Sequence, residues 1–444
     1  MSRKWERVRL GDLSVLITKG TTPTSLGYRF TDEGINFVKS ESVTFDGWID
    51  RSKFARIDAE THGALKRSQL QAGDILFSMA GVNIGKTAVV PEDILPANTN
   101  QACGIIRLDQ VRAQPRFIDY HLRNPSYNLF LNNLVSQSAQ PNLNLSEIRN
   151  LPIDLPPLSE QKRIAHILGT LDDKIELNRR MNATLEAMAR ALFQSWFVDF
   201  DPVRRNAEHA TPCPEDSRFP DSFEDSELEE IPAGWNVVTL GDVLDVLETG
   251  RRPKGGVAAY KSGVPSIGAE SIWGIGQFDY SKTKFIPTEF YEKTSAGRVE
   301  HEDVLLYKDG GKPGEFKPRV GLFGHGFPFE KFCINEHVFR MRSKSVGQAY
   351  LYFAISDQKV LADFANKGGK AAIPGINQVD VRSTKILRPE YQVLASFNQQ
   401  VTPWCDLIIK NSIQSRTLSN LRDALLPKLL SGEAKLADLT PAIL

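Results

Sequence analysis

The amino-acid sequence predicts a mixed α/β protein made of two duplicated globular modules and two long antiparallel coiled-coil helices, related by a pseudo-two-fold axis. An internal repeat predicts the duplication, because segments of the first half recur in the same order in the second half. Short apolar runs between turn residues predict strands in each copy. A heptad pattern that follows each copy predicts the paired helices.

The repeat is carried by matched segments whose separation drifts along the chain. The segment WERVRLGD at 5–12 recurs as WNVVTLGD at 235–242, and GDILFS at 73–78 recurs as EDVLLY at 302–307. Insertions in loops produce this drift in a diverged duplication, so the two copies share one frame and differ in their loops.

Each copy alternates short apolar runs with Gly, Pro and Asn, which is typical of strands joined by tight turns. The best helix candidates within the modules are residues 116–134 in the first copy and 348–365 in the second. They lie at equivalent places in the repeat.

A seam of apolar residues, spaced alternately by three and four, follows each module. Over more than four heptads this spacing indicates a coiled coil, although an amphipathic helix packed on its own module would show a similar stripe. The predicted seam comprises Ile164, Leu168, Leu171, Ile175, Asn178, Leu185 and Leu192 in the first helix and Val401, Trp404, Ile408, Asn411, Leu418 and Leu425 in the second. Asn178 and Asn411 share one seam position, where a polar residue fixes the register of pairing unless it is merely solvated.

These patterns divide the chain into six segments. They are a first module at 1–157, a central spacer helix at 158–200, an acidic Pro-containing linker at 201–232, a second module at 233–391, a C-terminal spacer helix at 392–432 and a tail at 433–444. The apolar seam of the first helix runs from Ile164 to Trp196, which is 33 residues and about 50 Å of helix. Paired helices of this length can hold two modules more than one turn of duplex DNA apart.

Composition narrows the functional class. The four cysteines lie far apart without metal-ligand spacing, which predicts free thiols in a reducing cytoplasm, no metal and no cofactor. No apolar run approaches the roughly 20 residues that cross a bilayer, so no membrane association is expected. The net charge is zero, but residues 245–385 carry 21 Lys plus Arg against 16 Asp plus Glu, which leaves room for a positive surface.

Two segments carry a family resemblance. The run from LPPLSEQKRIAHILGT to SWFVDFDPVR at 155–204, together with NLRDALLPKLLSGEAKL at 420–436, resembles the specificity subunit of type I restriction–modification enzymes. The second copy departs from the family pattern, with RPEYQ at 388–392 in place of PPLSEQ and GGKPGEFKPRVG in place of the IGK loop.

The resemblance implies a function. Each module would be a target-recognition domain that reads one half of an asymmetric bipartite site on double-stranded DNA. The helices would set the gap between the half-sites and dock two modification (methyltransferase) subunits, and restriction (ATP-dependent endonuclease) subunits would join that core. The chain itself would be non-catalytic. The alternatives are a protein-binding scaffold without a DNA role and a stand-alone DNA methyltransferase.

Three motifs point to other chemistry, each weakly. The segment AGVNIGKT at 80–87 loosely matches a phosphate-binding loop, but extended sequence follows where a helix is needed. Asn124-Pro125-Ser126-Tyr127 is similar to the catalytic loop of amino-methyltransferases, without a glycine-rich cofactor turn nearby. Glu315 and Lys317, with an upstream Asp, match a nuclease site at flexible spacing.

The candidate DNA-binding residues are basic and polar side chains in Gly/Pro/Ser-rich turns, where donors reach phosphates or base edges. They are Lys19, Thr21, Thr22, Asn83, Lys86, Gln140 and Asn142 in the first module and Arg251, Arg252, Lys254, Lys312, Lys317, Arg319 and Lys370 in the second. A solvated loop charge is the alternative for each residue taken alone.

Overall fold

The computed structural model describes residues 5–81, 84–135, 142–208, 216–227, 229–312, 314–369 and 374–433. The chain forms two compact units. The first comprises Met1–Asp173 with Leu418–Leu444, and the second comprises Lys174–Thr417. Both boundaries fall inside long helices, so each unit contains one module and a part of each long helix.

In its described residues the first unit contains nine strands in three small sheets. The strands are β1 (Glu6–Arg9), β2 (Ser14–Lys19), β3 (Ile35–Val38), β4 (Ala55–Ile57), β5 (Ile75–Ser78), β6 (Thr87–Val89), β7 (Ala97–Thr99), β8 (Cys103–Leu108) and β9 (Pro152–Leu155). Their orders are β2-β8-β5-β6, β4-β3-β7 and β1-β9. The helices of this module are α1 (Ala59–Ala64), α2 (Pro115–Arg123), α3 (Pro125–Val135) and α4 (Leu145–Arg149).

The second unit repeats this topology strand for strand after an additional hairpin. Its strands are β10 (Phe223–Ser226), β11 (Glu229–Pro232), β12 (Asn236–Thr239), β13 (Val246–Thr249), β14 (Val264–Ile267), β15 (Lys284–Ile286), β16 (Asp303–Tyr307), β17 (Val320–Phe323), β18 (Cys333–Ile334), β19 (Val338–Arg342) and β20 (Lys385–Arg388). The sheet orders β13-β19-β16-β17, β15-β14-β18 and β12-β20 match those of the first unit. The predicted duplicated α/β fold is therefore confirmed.

The remaining helices complete the repeat. They are α5 (Leu158–Phe197), α6 (Asp201–Glu208), α7 (Leu240–Val243), α8 (Thr288–Lys293), α9 (Gln348–Ile355), α10 (Gln358–Gly368), α11 (Gln378–Arg382) and α12 (Tyr391–Leu430). The short helices α4 and α11 begin at equivalent asparagines, Asn144 and Asn377, each in a reciprocal capping box with an acidic residue three positions on.

Both helices predicted within the modules are divided in the structure, and local chemistry explains each break. Asn124 precedes Pro125 and takes an extended ψ of 132°, since proline disfavours a helical residue before it. In the second copy the Asp357 carboxylate accepts from the Lys359 backbone N–H at 2.8 Å and starts a new helix.

The acidic segment at 201–232, expected as a loose linker, contains regular structure in its described part. Helix α6 occupies its start and the β10–β11 hairpin its end. The buried Asn206 amide donates to the carbonyls of Asp216 and Phe219 at 2.9 and 3.0 Å. Arg205 pairs with Asp216 at 2.7 Å, so buried hydrogen bonds offset the unfavourable charge of this stretch.

The long helices α5 and α12 each contain 40 residues, about 60 Å of helix at 1.5 Å per residue. In the second unit Asn178 lies beside Asn411, and Phe193 lies 6.0 Å from Phe397 between ring centroids. Rising numbers in one helix meet falling numbers in the other, so these parts of the helices are antiparallel. Phe397 also contacts Tyr350 of α9, so the helix packs on its partner helix and on its own module.

No helix in the described residues combines the length and the apolar character needed to span a membrane. Cys103, Cys333 and Cys405 are buried free thiols, and Cys213 lies outside the described residues.

Candidate nucleic-acid interface

One end of the four-stranded sheet collects the candidate residues of the first module. Lys19 at the end of β2 pairs with Gly104 of β8, which pairs with Phe77 of β5, which pairs with Thr87 of β6. These four residues form one row across the antiparallel sheet. We call the edge beyond this row the polar end, because the turns that leave it carry the predicted polar residues.

Lys86 lies directly at the polar end of the first module. The Ser78 backbone N–H donates to the Lys86 carbonyl at 2.8 Å, and the Lys86 ammonium lies 4.5 Å from the ring centroid of Phe45. Burial lowers the pKa of Lys86, and the neighbouring charge of Lys53 lowers it further. The ring of Phe45 is 65% exposed, so a large apolar surface and a cation face solvent together.

The other candidates of this module line the same edge or fall outside the described residues. The Thr21 backbone N–H donates to the Thr99 carbonyl at 3.1 Å, and Arg67 donates to the Thr21 hydroxyl at 3.1 Å. Thr22 caps the following turn through its carbonyl, and exposed Asn142 forms an antiparallel bridge with Ala80 after β5. Asn83 and Gln140 lie outside the described residues.

The second module has the same row of residues across its sheet. Thr249 of β13 pairs with Phe339 of β19, Phe339 with Leu306 of β16, and Leu306 with Val320 of β17. The turn that leaves β13 begins at Gly250, whose N–H donates to the Asn335 carbonyl at 3.1 Å. Arg251 and Arg252 follow immediately, which places them at the polar end of this sheet.

Arg319 is held at this end by two rings and a carbonyl. Its guanidinium carbon lies 4.3 Å from the ring centroid of Trp273 and 4.8 Å from that of Tyr307. It donates to the Ala269 carbonyl at 2.9 Å, and burial lowers the pKa of Arg319. Trp273 is 50% exposed and donates its indole N–H to the Glu270 carbonyl at 2.8 Å, which fixes the ring.

Carboxylates accompany the cations of the second module. Arg252 pairs with Glu336 at 2.8 Å, and Lys317 pairs with Glu315 at 2.6 Å. The carboxylate of Glu270 pairs with Lys284 at 2.5 Å. Burial raises the pKa of Glu270, but the hydrogen bond from Lys284 and smaller effects outweigh it, so the pKa is lowered overall.

Three further cations of this module, Arg251, Lys254 and Lys312, are exposed, and Lys370 lies outside the described residues. Arg251 and Lys254 belong to the turn after β13, and Lys312 and Lys317 belong to the loop between β16 and β17. The structure thus brings the described candidates of each module to turns at one end of its own sheet.

All the predicted seam residues are buried or half-buried. Within the second unit they meet in a polar layer. The Asn178 amide, fully buried, lies 2.9 Å from the Gln414 side-chain oxygen, and the Asn411 amide donates to the Asn182 side-chain oxygen at 2.9 Å. The Asn182 amide lies 3.2 Å from the Ile408 carbonyl. Asn178 and Asn411 are thus bonded across the helices rather than solvated.

Within the first unit the helices meet through a buried charge. Arg422, only 8% exposed, pairs with Asp172 at 2.8 Å. Burial lowers the pKa of Arg422, but the charge of Asp172 and its hydrogen bond outweigh burial and raise it overall. Arg422 lies on the heptad frame between Leu418 and Leu425, and the spacing alone does not reveal this charge pair.

One group of side chains within the described residues has the geometry to hold a metal ion. His301, Glu302 and Asp406 place one ligand atom each within 4.8 Å of one another. The group lies at the start of β16, opposite the polar end. Residues that lie 104 positions apart give no spacing signal, so sequence reasoning missed it.

The phosphate-loop motif at 80–87 lies between the antiparallel strands β5 and β6, and its last residue, Thr87, begins a strand rather than an α-helix. The site residues that the sequence analysis missed are the rings of Phe45, Trp273 and Tyr307. Phe45 lies 41 positions from Lys86 and Trp273 lies 46 positions from Arg319, so only the fold brings these pairs together. Tyr307 lies 12 positions from Arg319, across the β16–β17 connection.

Comparisons with known proteins agree with this architecture. Residues 2–187 match the family described as type I restriction modification DNA specificity domain. The chain is 25% identical to the type I restriction enzyme MjaIX specificity subunit of Methanocaldococcus jannaschii, covering 98% of this chain and 95% of that one. It is also 25% identical to the HindI specificity subunit of Haemophilus influenzae, covering 97% and 99%.

Over nearly its whole length the chain is similar to type I restriction–modification specificity subunits. A crystal structure of the type I restriction–modification S subunit from M. genitalium covers 96% of both chains with a TM-score of 0.58 and 16% identity. At that identity the likeness concerns the fold of the specificity subunit alone.

Proposed function

We propose that the chain is the DNA sequence-specificity subunit of a type I restriction–modification complex. Each target-recognition domain, at 1–157 and 233–391, reads one half of an asymmetric bipartite duplex site. The observation that carries the proposal is the polar end. In each module, cations and hydrogen-bonding side chains leave the equivalent edge of its own four-stranded sheet. The likeness to type I specificity subunits supports DNA and the modification subunits as the partners.

The residue types at the polar ends suit duplex DNA. Lysine and arginine neutralise phosphates, while amides, hydroxyls and arginine also read base edges in the grooves. The first module offers Lys19, Thr21 and Asn142, and the second offers the arginines Arg251, Arg252 and Arg319. Different donors at equivalent places read different bases, which supports an asymmetric site.

The long helices are proposed to set the gap between the half-sites and to dock two modification subunits. The polar layer at Asn178 and Asn411 supports a fixed register, since buried amides tolerate few alternative pairings. A fixed register would keep the gap constant from one molecule to the next.

The chain is proposed to act as a non-catalytic cytoplasmic subunit. The modification subunits would supply adenine methylation, and the restriction subunits would supply ATP-dependent cleavage. The complex would defend the cell against foreign DNA.

The proposal is tested by sequencing the methylated positions of a genome in cells that express the chain with its modification subunits. We expect one asymmetric split motif, and its absence would overturn the proposal.

Replacing residues 73–90 with another loop should alter one half-site only. Deleting one heptad from each helix, 175–181 and 408–414, should shorten the gap and leave both half-sites unchanged. Altered half-sites after the deletion would show that the helices are not the spacer.

Binding assays with the purified chain and complex separate the other functions. DNA reading predicts salt-sensitive binding to the split site, whereas a protein-binding scaffold would show none. A stand-alone methyltransferase would transfer methyl groups to DNA without partner subunits.

A further inference from the structure

Lys86 and Arg319 occupy equivalent backbone positions in the two modules. Each directly precedes the last strand of its four-stranded sheet, β6 or β17. The Ser78 N–H donates to the Lys86 carbonyl at 2.8 Å, and the Tyr307 N–H donates to the Arg319 carbonyl at 2.9 Å. The same hydrogen bond at the same sheet position makes the two cations counterparts.

Their aromatic partners also come from equivalent turns. A short 3₁₀ turn at Ser40–Ser42 leads to Phe45, and a matching turn at Ala269–Ser271 leads to Trp273. The rings follow these turns by three residues and by two, so the chain reaches the cation differently in each copy. A cation packed on an exposed ring is nevertheless present in both copies.

From this repetition we infer that each module carries one cation–aromatic pair that contacts the bases of its half-site, Lys86 with Phe45 in the first and Arg319 with Trp273 in the second. The ligand of each cation is the major-groove edge of a guanine, whose O6 and N7 accept from lysine or arginine. This inference rests on the proposed function and identifies the side chains that read the bases.

The exposed rings favour base contact over phosphate contact. A phosphate needs only a cation, and a solvated lysine on a flexible stem is sufficient for it. A ring that is 65% or 50% exposed leaves apolar surface in water, and this surface is removed from water when it packs on a base edge or a thymine methyl. The ring also holds the cation in one direction, which lowers the entropy lost on binding.

The two cations predict different degrees of discrimination. Arg319 has a planar fork, and its contacts with two rings and with the Ala269 carbonyl limit its orientation. It can make two parallel hydrogen bonds to guanine, whereas the Lys86 ammonium is a point charge without a planar fork. The second half-site should therefore contain one guanine that is read more strictly than the corresponding base of the first.

The test uses the complex of the full chain with its modification subunits and measures binding to a library randomised at each position of the wild-type motif. Arg319→Lys and Trp273→Ala should each relax one position of the second half-site by roughly 5- to 150-fold in relative affinity. Lys86→Ala and Phe45→Ala should relax one position of the first half-site only.

The matched control is Lys317→Ala, which removes an exposed cation of the same module. This change should weaken binding about equally for all sequences and leave every position of the motif intact. Uniform weakening by Arg319→Lys, or a change in the opposite half-site, would overturn the inference while leaving the proposed function in place. Absence of a split motif for the wild-type complex would overturn both. Unchanged thermal unfolding temperatures establish that the variants fold. If Trp273→Ala does not fold, Arg319→Lys, which retains the charge, still tests the second module.

Discussion

The polar layer between the long helices allows a double-mutant cycle with a predicted sign and size. Asn411 is 6% exposed, and its amide donates to the Asn182 side-chain oxygen at 2.9 Å. Asn182→Leu leaves that buried donor without its acceptor, which costs about 1–3 kcal/mol of unfolding free energy. Replacing both Asn182 and Asn411 by Leu removes donor and acceptor together, which is nearly neutral.

We therefore expect a coupling energy of about 1–3 kcal/mol between the two substitutions. Packing changes at each site enter the single and double variants alike and largely cancel in the cycle. The measurement is urea unfolding of the full chain, followed by far-ultraviolet circular dichroism and by tryptophan fluorescence, to which Trp404 in the second unit contributes.

Asn178→Leu is the matched control. The Gln414 side chain, which accepts from the Asn178 amide, is exposed, so water can replace that donor. The Asn178 side-chain oxygen is buried without a partner. Its replacement should leave stability unchanged or raise it by about 1 kcal/mol. A coupling energy near zero for Asn182 and Asn411, or equal losses for Asn178→Leu and Asn182→Leu, would refute the assignment of the hydrogen bonds in this layer.

Three further predictions concern the two modules. Burial lowers the pKa of His121 to about 4, whereas the value in the unfolded chain is near 6.5. The first unit should therefore lose up to ~3 kcal/mol of unfolding free energy as pH falls from 6.5 towards 4. His121→Gln should flatten a plot of unfolding temperature against pH over this range. Glu302 has a left-handed φ of 61°, and the equivalent residue of the first copy is Gly73 with a φ of 85°. Because a side chain is strained in this conformation, Glu302→Gly should stabilise the second unit by about 1 kcal/mol and raise its unfolding temperature. A lower unfolding temperature would contradict the strain. Phe397 is fully buried among aromatic rings, so Phe397→Ala should cost about 3–5 kcal/mol in urea unfolding and Phe397→Leu less, and equal costs would contradict the packing.

The sequence predicted what repeats along the chain. The duplication, the two long helices and the seam follow from matched segments and from heptad spacing, both of which are readable without knowledge of the fold. Breaks inside the module helices were missed because one residue decides each of them, Asn124 before a proline and Asp357 as a cap. Hydrophobic periodicity averages over such single positions.

The candidate site was predictable only in part for a different reason. Cations in Gly-rich turns can be found from sequence, and the described ones lie at the polar ends. The ring beneath each cation could not be found, since Phe45 and Lys86 belong to separate strand connections that only the sheet order brings together. His301 and Asp406 were missed for the same reason, because His301 lies just before strand β16 and Asp406 lies in helix α12.

The two units specify the pairing of the same two helices by different polar contacts. In the first unit Asp172 meets the buried Arg422, and in the second the asparagine amides meet one another. A shift of one heptad would leave the apolar seam filled, because its spacing repeats, but it would separate the buried Arg422 from Asp172 and leave it paired with Asp423 of its own helix. Losing the Asp172 partner is unfavourable, because fewer contacts then offset the desolvation of the Arg422 guanidinium. The charge pair therefore supplies the register that the repeating seam cannot, and a protein proposed to hold a constant gap depends on that register.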